Sequence, residues 1–385
     1  MKITSFKNVN IVFKDKIKKG SLSINGDEIA SFRCRKNAIT LPETLYLAPG
    51  FIDEHIHGAN GSDTMDGTID ALENIANSLV QEGVTSFLPT TMTMPEEDIN
   101  RALDNIKNYM KEKRSGARVI GCHLEGPFIS PLHPGAQDPK AILKPDEKKF
   151  ASFYERSGKA IKEVTIAYEE GGEGILSFCN AHRITASLGH SDCKAKLVKE
   201  AVSKGLHSIT HLFNAQRGFN HREPGIVGEA LLTNGLKTEV ICDLIHSSED
   251  ALKLVFKNKL KEDIVLITDS TEGKYLKPGY YELGGQKVKI LDGVARLMND
   301  TIAGSILRLD TALKNISPIA HNYSFNELIN LASLNPAKNL GIDDKYGQIA
   351  LGHKADFVII DRDFNVYATI VGGEVSFLKE GFHLN

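Results

Sequence analysis

The chain has 385 residues, of which 25% are charged, with a formal net charge of −3. That length suits one large α/β unit plus a small extra domain, and the near-balanced charge excludes a nucleic-acid surface, which needs a basic excess. No apolar run approaches the roughly 18 residues of a membrane-spanning helix. The start Met1-Lys2-Ile3-Thr4-Ser5-Phe6 lacks the apolar core of a signal peptide, and the cysteines (Cys34, Cys122, Cys179, Cys193, Cys242) form no Cys-x-x-Cys pair, so idle thiols in a reducing cytoplasm are expected.

In chain order, residues 1–48 read as short strands. Ile11-Val12-Phe13 and Leu22-Ser23-Ile24 flank a lysine-rich turn, and Asn25-Gly26-Asp27 signals a hairpin. Residues 49–345 alternate apolar runs with amphipathic helices. The runs are Leu47–Ile52, Thr85–Thr90, Val119–Leu124, Glu163–Tyr168, Ile184–Leu188, Ser208–Leu212, Thr238–Leu244 and Ile264–Thr268, eight in all, the number that closes a parallel barrel. Their nearly continuous apolar character fits strands covered on both faces.

Thr68–Glu82 places Ile69, Leu72, Ile75, Ala76, Leu79 and Val80 on one helical face and stops at Gly83; Lys194–Lys204 stops in the same way at Gly205. Between Glu272 and Asp300, glycine-rich turns and strand-like pieces predict a flap over the barrel mouth. Ser324-Phe325-Asn326-Glu327 is a capping box, opening a helix that Asn335-Pro336 is expected to interrupt. Residues 346–385 return to strands, Ala355–Ile360 and Val366–Val371, with a turn at Gly372-Gly373. The two β-rich ends predict one small β-sandwich built from both termini, since neither half could stand alone. The fold class expected is thus α/β, a (β/α)8 TIM-type barrel with that sandwich attached.

The chemistry sits where apolar runs end. His55 and His57 are two apart on an extended segment, so both imidazoles face one side. Glu125 closes a run and is followed by a Gly126-Pro127 turn; a lone carboxylate there usually needs a cation. His190 lies between Gly189 and Ser191, and His211 ends the sixth run. Each histidine alone is more often structural, but together they gather at one end of one barrel, where such enzymes hold their sites. Imidazole with carboxylate suits a divalent transition metal, without choosing among Zn, Fe and Mn. Asp269, at the end of the eighth run, either caps the turn Ser270-Thr271 or takes a proton from water and passes it to a leaving group.

These segments resemble the amidohydrolase superfamily, and within it the deacetylases of N-acetylglucosamine 6-phosphate. The resemblance spans nearly the whole chain and rests on Ala48–Asp53, His123–Phe128, Ser187–Ser191, Thr210–Ala215, Arg222–Gly225, Thr268–Ser270 and Ala303–Ser305. It implies a metal held by Glu125, His190 and His211, with Asp269 as general acid/base. With His55 and His57 present, it allows a second ion bridged by Glu125. The strand Val164–Tyr168 offers no lysine to bridge two metals, which fits Glu125 in that role. Relatives often carry a histidine after Gly-Ala in the loop beyond Glu125. Here the loop reads His133-Pro134-Gly135-Ala136-Gln137, so Ala136 and Gln137 match by position and His133 by chemistry.

For a sugar phosphate the resemblance assigns Asn214, the Ala215 amide, Arg222 and His246 to the phosphate, Asp243 and His246 to the sugar, and Ile302, Ala303 and Gly304 to the acetamide. Arginine offers a planar fork to phosphate oxygens, and Arg217 is a neighbouring cation. In relatives the phosphate arginine can come from a second subunit, which implies a homodimer. The implied reaction releases acetate and an amino sugar phosphate. The galactosamine epimer, cyclic imides or ureides are alternative substrates for the same barrel. A scaffold that had lost its chemistry would have lost ligands, and every expected one is present.

Overall fold

The computed structural model describes residues 1–384. Buried runs in the middle of the chain become parallel strands in two sheets. One, of three strands, orders Phe51–Ile56, Val84–Pro89 and Arg118–Val119; the other, of six, runs in sequence order through Cys122–Glu125, Ile161–Ile166, Thr185–Leu188, Ser208–Ile209, Lys237–Ile241 and Ile264–Ile267. A parallel bridge between Thr90 and His123 joins the sheets on one side. On the other, Ile264–Ile267 packs beside Phe51–Ile56, and the Asp269 N–H donates to the His55 carbonyl at 2.9 Å. Nearly every residue of these strands is buried, because helices cover their outer faces.

Two expected strands differ. The run Leu47–Ile52 divides at Gly50: Tyr46–Pro49 joins the terminal sheet, and the site-bearing strand starts at Phe51. A Cβ on Gly50 would sit 2.2 Å from Thr85 Oγ1, so the crossover requires glycine. The run Val119–Leu124 splits at Ile120-Gly121, and its halves pair with different neighbours.

The helices follow their caps. Thr68 accepts from the Ala71 N–H ahead of Ile69–Leu79; a 3-10 turn, Val80–Glu82, then ends at Gly83, whose φ of 87° no β-carbon favours. Ala195–Ser203 stops before Gly205, and Ser324 and Glu327 form the expected capping box. The break that follows falls at Ala332-Ser333, earlier than expected. Pro336 lies in the first turn of the next helix, Leu334–Asn339, where a missing N–H costs nothing.

Strands from both ends of the chain form one continuous seven-stranded sheet. It folds back on itself rather than forming two separate sheets: Lys2 bridges Glu374 and Glu28 bridges Lys354. Its own apolar cluster includes Phe6, Leu22, Leu47, Phe357 and Ile370. Among the described residues no helix is long and apolar enough to cross a membrane.

The segment read as a flap forms a three-stranded antiparallel sheet, Gly279–Leu283, Gln286–Leu291 and Val294–Leu297. At its base Lys274 pairs with Glu82 at 2.5 Å, both side chains fully buried. Glu82 also accepts the Leu309 N–H at 2.8 Å. Removing one partner of such a pair strands the other charge, so Lys274→Met should cost about 3–5 kcal/mol. Urea unfolding would measure it, and Lys274→Met/Glu82→Leu should recover most of the loss. A single variant as stable as wild type would show that the pair does not hold the flap.

Candidate active site

Each site residue leaves the end of a strand. His55 lies in Phe51–Ile56 with His57 just beyond; Glu125 ends Cys122–Glu125; His190, His211 and Asp269 each come two residues after their strands. His190, His211 and Asp269 have φ of 46°, 27° and 48°. Left-handed backbone at a residue with a β-carbon costs on the order of 1–3 kcal/mol and persists where surrounding structure enforces it. Gly304 makes room beside Asp269, where a Cβ would lie 2.9 Å from the Asp269 carbonyl oxygen.

Glu125 is the hub. Its Oε1 lies 3.2 Å from His190 Nε2, 3.0 Å from His211 Nε2 and 3.3 Å from His55 Nε2, and its Oε2 lies 3.2 Å from His57 Nε2. Asp269 Oδ1 stands 3.1 Å from His57 Nε2 and 3.6 Å from His55 Nε2. The far sides of three rings are anchored: His55 Nδ1 on Glu239 at 3.0 Å, His57 Nδ1 on the Thr90 carbonyl at 3.2 Å, His190 Nδ1 on the His133 carbonyl at 3.0 Å. Such outer partners fix ring orientation and leave the inner nitrogens to a ligand.

The donor set fits a divalent cation. His190 Nε2 and His211 Nε2 face each other at 3.1 Å, and His55 Nε2 is buried with no hydrogen-bond partner. Two overlapping groups, His55-His57-Glu125 and Glu125-His190-His211, each bring their donor atoms within 4.8 Å of one another. Burial alone would push the Glu125 carboxyl up, but the imidazoles of His55, His190 and His211 hold it well below the usual range. Burial would likewise raise Asp269, and His57 and His55 outweigh it. Burial pulls His57 down, while Asp269 and Glu125 carry it up to about 10. The site is therefore built to hold its carboxylates ionised.

All of these groups but His55, which is fully buried, form the floor of a 260 Å³ cavity that also meets Ala136, Gln137, Asn214, Ala215, His246, Ile302 and Gly304. A larger groove of 680 Å³, between residues 109–119 and 371–376, contains none of them and has a lining that mixes charged, polar and apolar residues. Of the two loop alternatives, Gln137 reaches the site. It donates to Glu125 Oε2 at 2.7 Å and accepts the Thr93 N–H at 2.6 Å. His133 turns aside to Asp192, 2.9 Å away. Asp192 also holds Arg217 by its carboxylate and backbone carbonyl, so Arg217 is committed there.

Three expected contacts are absent from the cavity wall. Ala303 is fully buried behind it. Asp243 caps its own turn, accepting the Ile245 and His246 N–H groups at 2.8 Å each and binding His246 Nδ1 at 2.7 Å; it aims His246 rather than lining the cavity. Arg222 is exposed and makes no ion pair among the described residues. Conversely, Met92, Leu283 and Thr301 line the cavity without having been expected. No chemical signal marks them in the sequence, since they arrive by tertiary placement; the flap strand brings Leu283, and Gln286 ties it down by donating to the Ala136 carbonyl at 2.5 Å.

The chain belongs to the amidohydrolase family, whose sequence model matches residues 46–376. Several of its relatives are sugar-phosphate deacetylases. It is 38% identical to the N-acetylglucosamine-6-phosphate deacetylase of Bacillus subtilis (strain 168), covering 97% of each chain. It is 32% identical to an N-acetylgalactosamine-6-phosphate deacetylase of Escherichia coli O157:H7, over 88% of this chain and 90% of the relative. The crystal structure of N-acetylglucosamine-6-phosphate deacetylase from Thermotoga maritima superposes with a TM-score of 0.89 at 36% identity, over 97% of this chain and all of that one.

Proposed function

We propose that this chain hydrolyses the acetamide of N-acetylglucosamine 6-phosphate to glucosamine 6-phosphate and acetate. The observation that carries the reading is the convergence of four imidazoles and two carboxylates, all but His55 facing one cavity. The substrate class comes from the deacetylases it matches along nearly their full length. In this reading the parallel strands close into an eight-stranded TIM-type barrel with the site at its C-terminal mouth, and the terminal sheet, drawn from residues 1–48 and 346–385, is a separate small domain.

Glu125, His190 and His211 would hold one divalent ion, and His55, His57 and Glu125 a second; Zn, Fe and Mn all suit this donor set. When bound, such an ion acidifies water and polarises a carbonyl. The residues do the rest. Asp269 Oδ1, ionised and beside His57, takes the proton of the attacking water and returns it to the departing amine nitrogen. Gln137 fixes the rotamer of Glu125. Asp243 aims His246 at the sugar, and Ile302 and Gly304 bring backbone close to the acetyl group.

Acetate release from N-acetylglucosamine and N-acetylgalactosamine, each with and without the 6-phosphate, tests the assignment. The gluco 6-phosphate should be preferred. Preference for the galacto epimer would shift the reading to the Escherichia coli type of relative, and no release from any would end it. The phosphate would be held by Asn214, the Ala215 amide, His246 and Arg222, the last contributed by the partner in a cytoplasmic homodimer. Arg222→Ala should raise KM for the phosphorylated sugar by about 10–100-fold, the value of one charge-assisted hydrogen bond, with kcat little changed. An unchanged KM would remove Arg222 from the phosphate.

A further inference from the structure

Beneath the histidine-lined floor, Glu54, Glu163 and Glu239 meet at full burial. They come from strands Phe51–Ile56, Ile161–Ile166 and Lys237–Ile241, which are not neighbours in sheet order, so the carboxylates meet across the interior. An oxygen of each lies within 4.8 Å of the other two. Part of the set is satisfied. Glu54 Oε1 accepts the Asn339 amide N–H at 2.8 Å, and Glu239 Oε2 accepts the His211 backbone N–H and faces His55 Nδ1, both at 3.0 Å.

The remaining oxygens are orphaned. Glu54 Oε2, Glu239 Oε1, both oxygens of Glu163 and the Asn339 amide oxygen are buried without a hydrogen-bond partner. Glu163 is the sharpest case, a fully buried carboxylate within 4.8 Å of two others. No lysine or arginine pairs with the trio among the described residues. His123, beside His55, is kept neutral by burial and by His55 itself. Protons shared between the carboxyls are one way to satisfy these oxygens. One oxygen-seeking cation is another, since oxygens sharing a Ca²⁺ at about 2.3–2.6 Å stand at most about 5 Å apart, and one oxygen of each glutamate meets that spacing. The three carboxylates offer oxygen donors alone, which suits a hard ion.

We propose that Glu54, Glu163 and Glu239 form an internal site for one hard divalent cation of the Ca²⁺ or Mn²⁺ type, joined to the histidine-lined floor through Glu239. The site does not depend on the acetamide reading. Crystals of the wild-type protein grown with Mn²⁺, with diffraction measured on both sides of the manganese absorption edge, should show a peak enclosed by the three carboxylates. Any peak at Glu125, His190 and His211 would be separate. Elemental analysis of Glu163→Gln should find about one ion per chain fewer than wild type. Peaks confined to the histidine floor, or equal metal content in the two proteins, would overturn the proposal and leave the trio sharing protons. If Glu163→Gln does not fold, the wild-type map decides alone.

Discussion

Asp269→Asn should keep the fold and the metal content of the wild type and lower kcat by about 10²–10⁴-fold. The substitution preserves shape. The Ser305 N–H still donates to the residue 269 carbonyl at 2.8 Å, and Gly304 still leaves room for the turn. What disappears is an oxygen able to take a proton at one moment and return it at the next. Asp269 Oδ1 stands 3.1 Å from His57 Nε2 and opens onto the cavity, the one carboxylate there not ringed by imidazoles on every side. Acetate release and elemental analysis on the same preparation separate the effects. Turnover within about tenfold of wild type at equal metal content would remove Asp269 from proton transfer.

Glu125→Gln should be at least as damaging, for a different reason. Four imidazole nitrogens lie within 3.3 Å of the Glu125 oxygens, and its charge is what allows cations to gather there. Metal content should fall, and with it kcat, by about 10²–10³-fold or more, the scale of losing a stabiliser of transition-state charge. The two proteins should also differ in acid sensitivity after chelation. The wild-type carboxyl is held well below its ordinary value of 4.5. It therefore contributes stability that is present above that value and is lost as the pH falls through the lower, native one. Glutamine has no proton to gain, so metal-free Glu125→Gln should lack this part of the acid limb. Urea unfolding of chelated proteins across that range measures it, and identical limbs would show that the charge does no such work.

The donor set was legible because each member closes an apolar run. A buried strand ending in histidine, glutamate or aspartate has few bland explanations, and His55, His57, Glu125, His190, His211 and Asp269 all read that way. Residues whose role depends on a neighbour did not. Asp243 looks like a ligand contact until its carboxylate is seen closing its own turn. Gln137 and His133 could be separated only by which of them Asp192 captures. Gly50 lies inside a continuous apolar run, and only the packing of Thr85 against it shows why the strand ends there. Glu163 and Glu239 were hidden in runs read for hydrophobicity, since their meeting with Glu54 is a matter of tertiary arrangement across non-adjacent strands.

Glycine is the residue that would relax the left-handed turns at His190, His211 and Asp269, yet none of the three can become glycine without giving up its donor atom. Ala215, at φ 45°, lies among them and gives the cavity little besides backbone. Heat tolerance and turnover thus make opposite demands on adjacent positions of one rim. A laboratory search for hardier variants should find its gains at places like Ala215, between the donors, while the donors themselves stay fixed by chemistry against their own conformational preference.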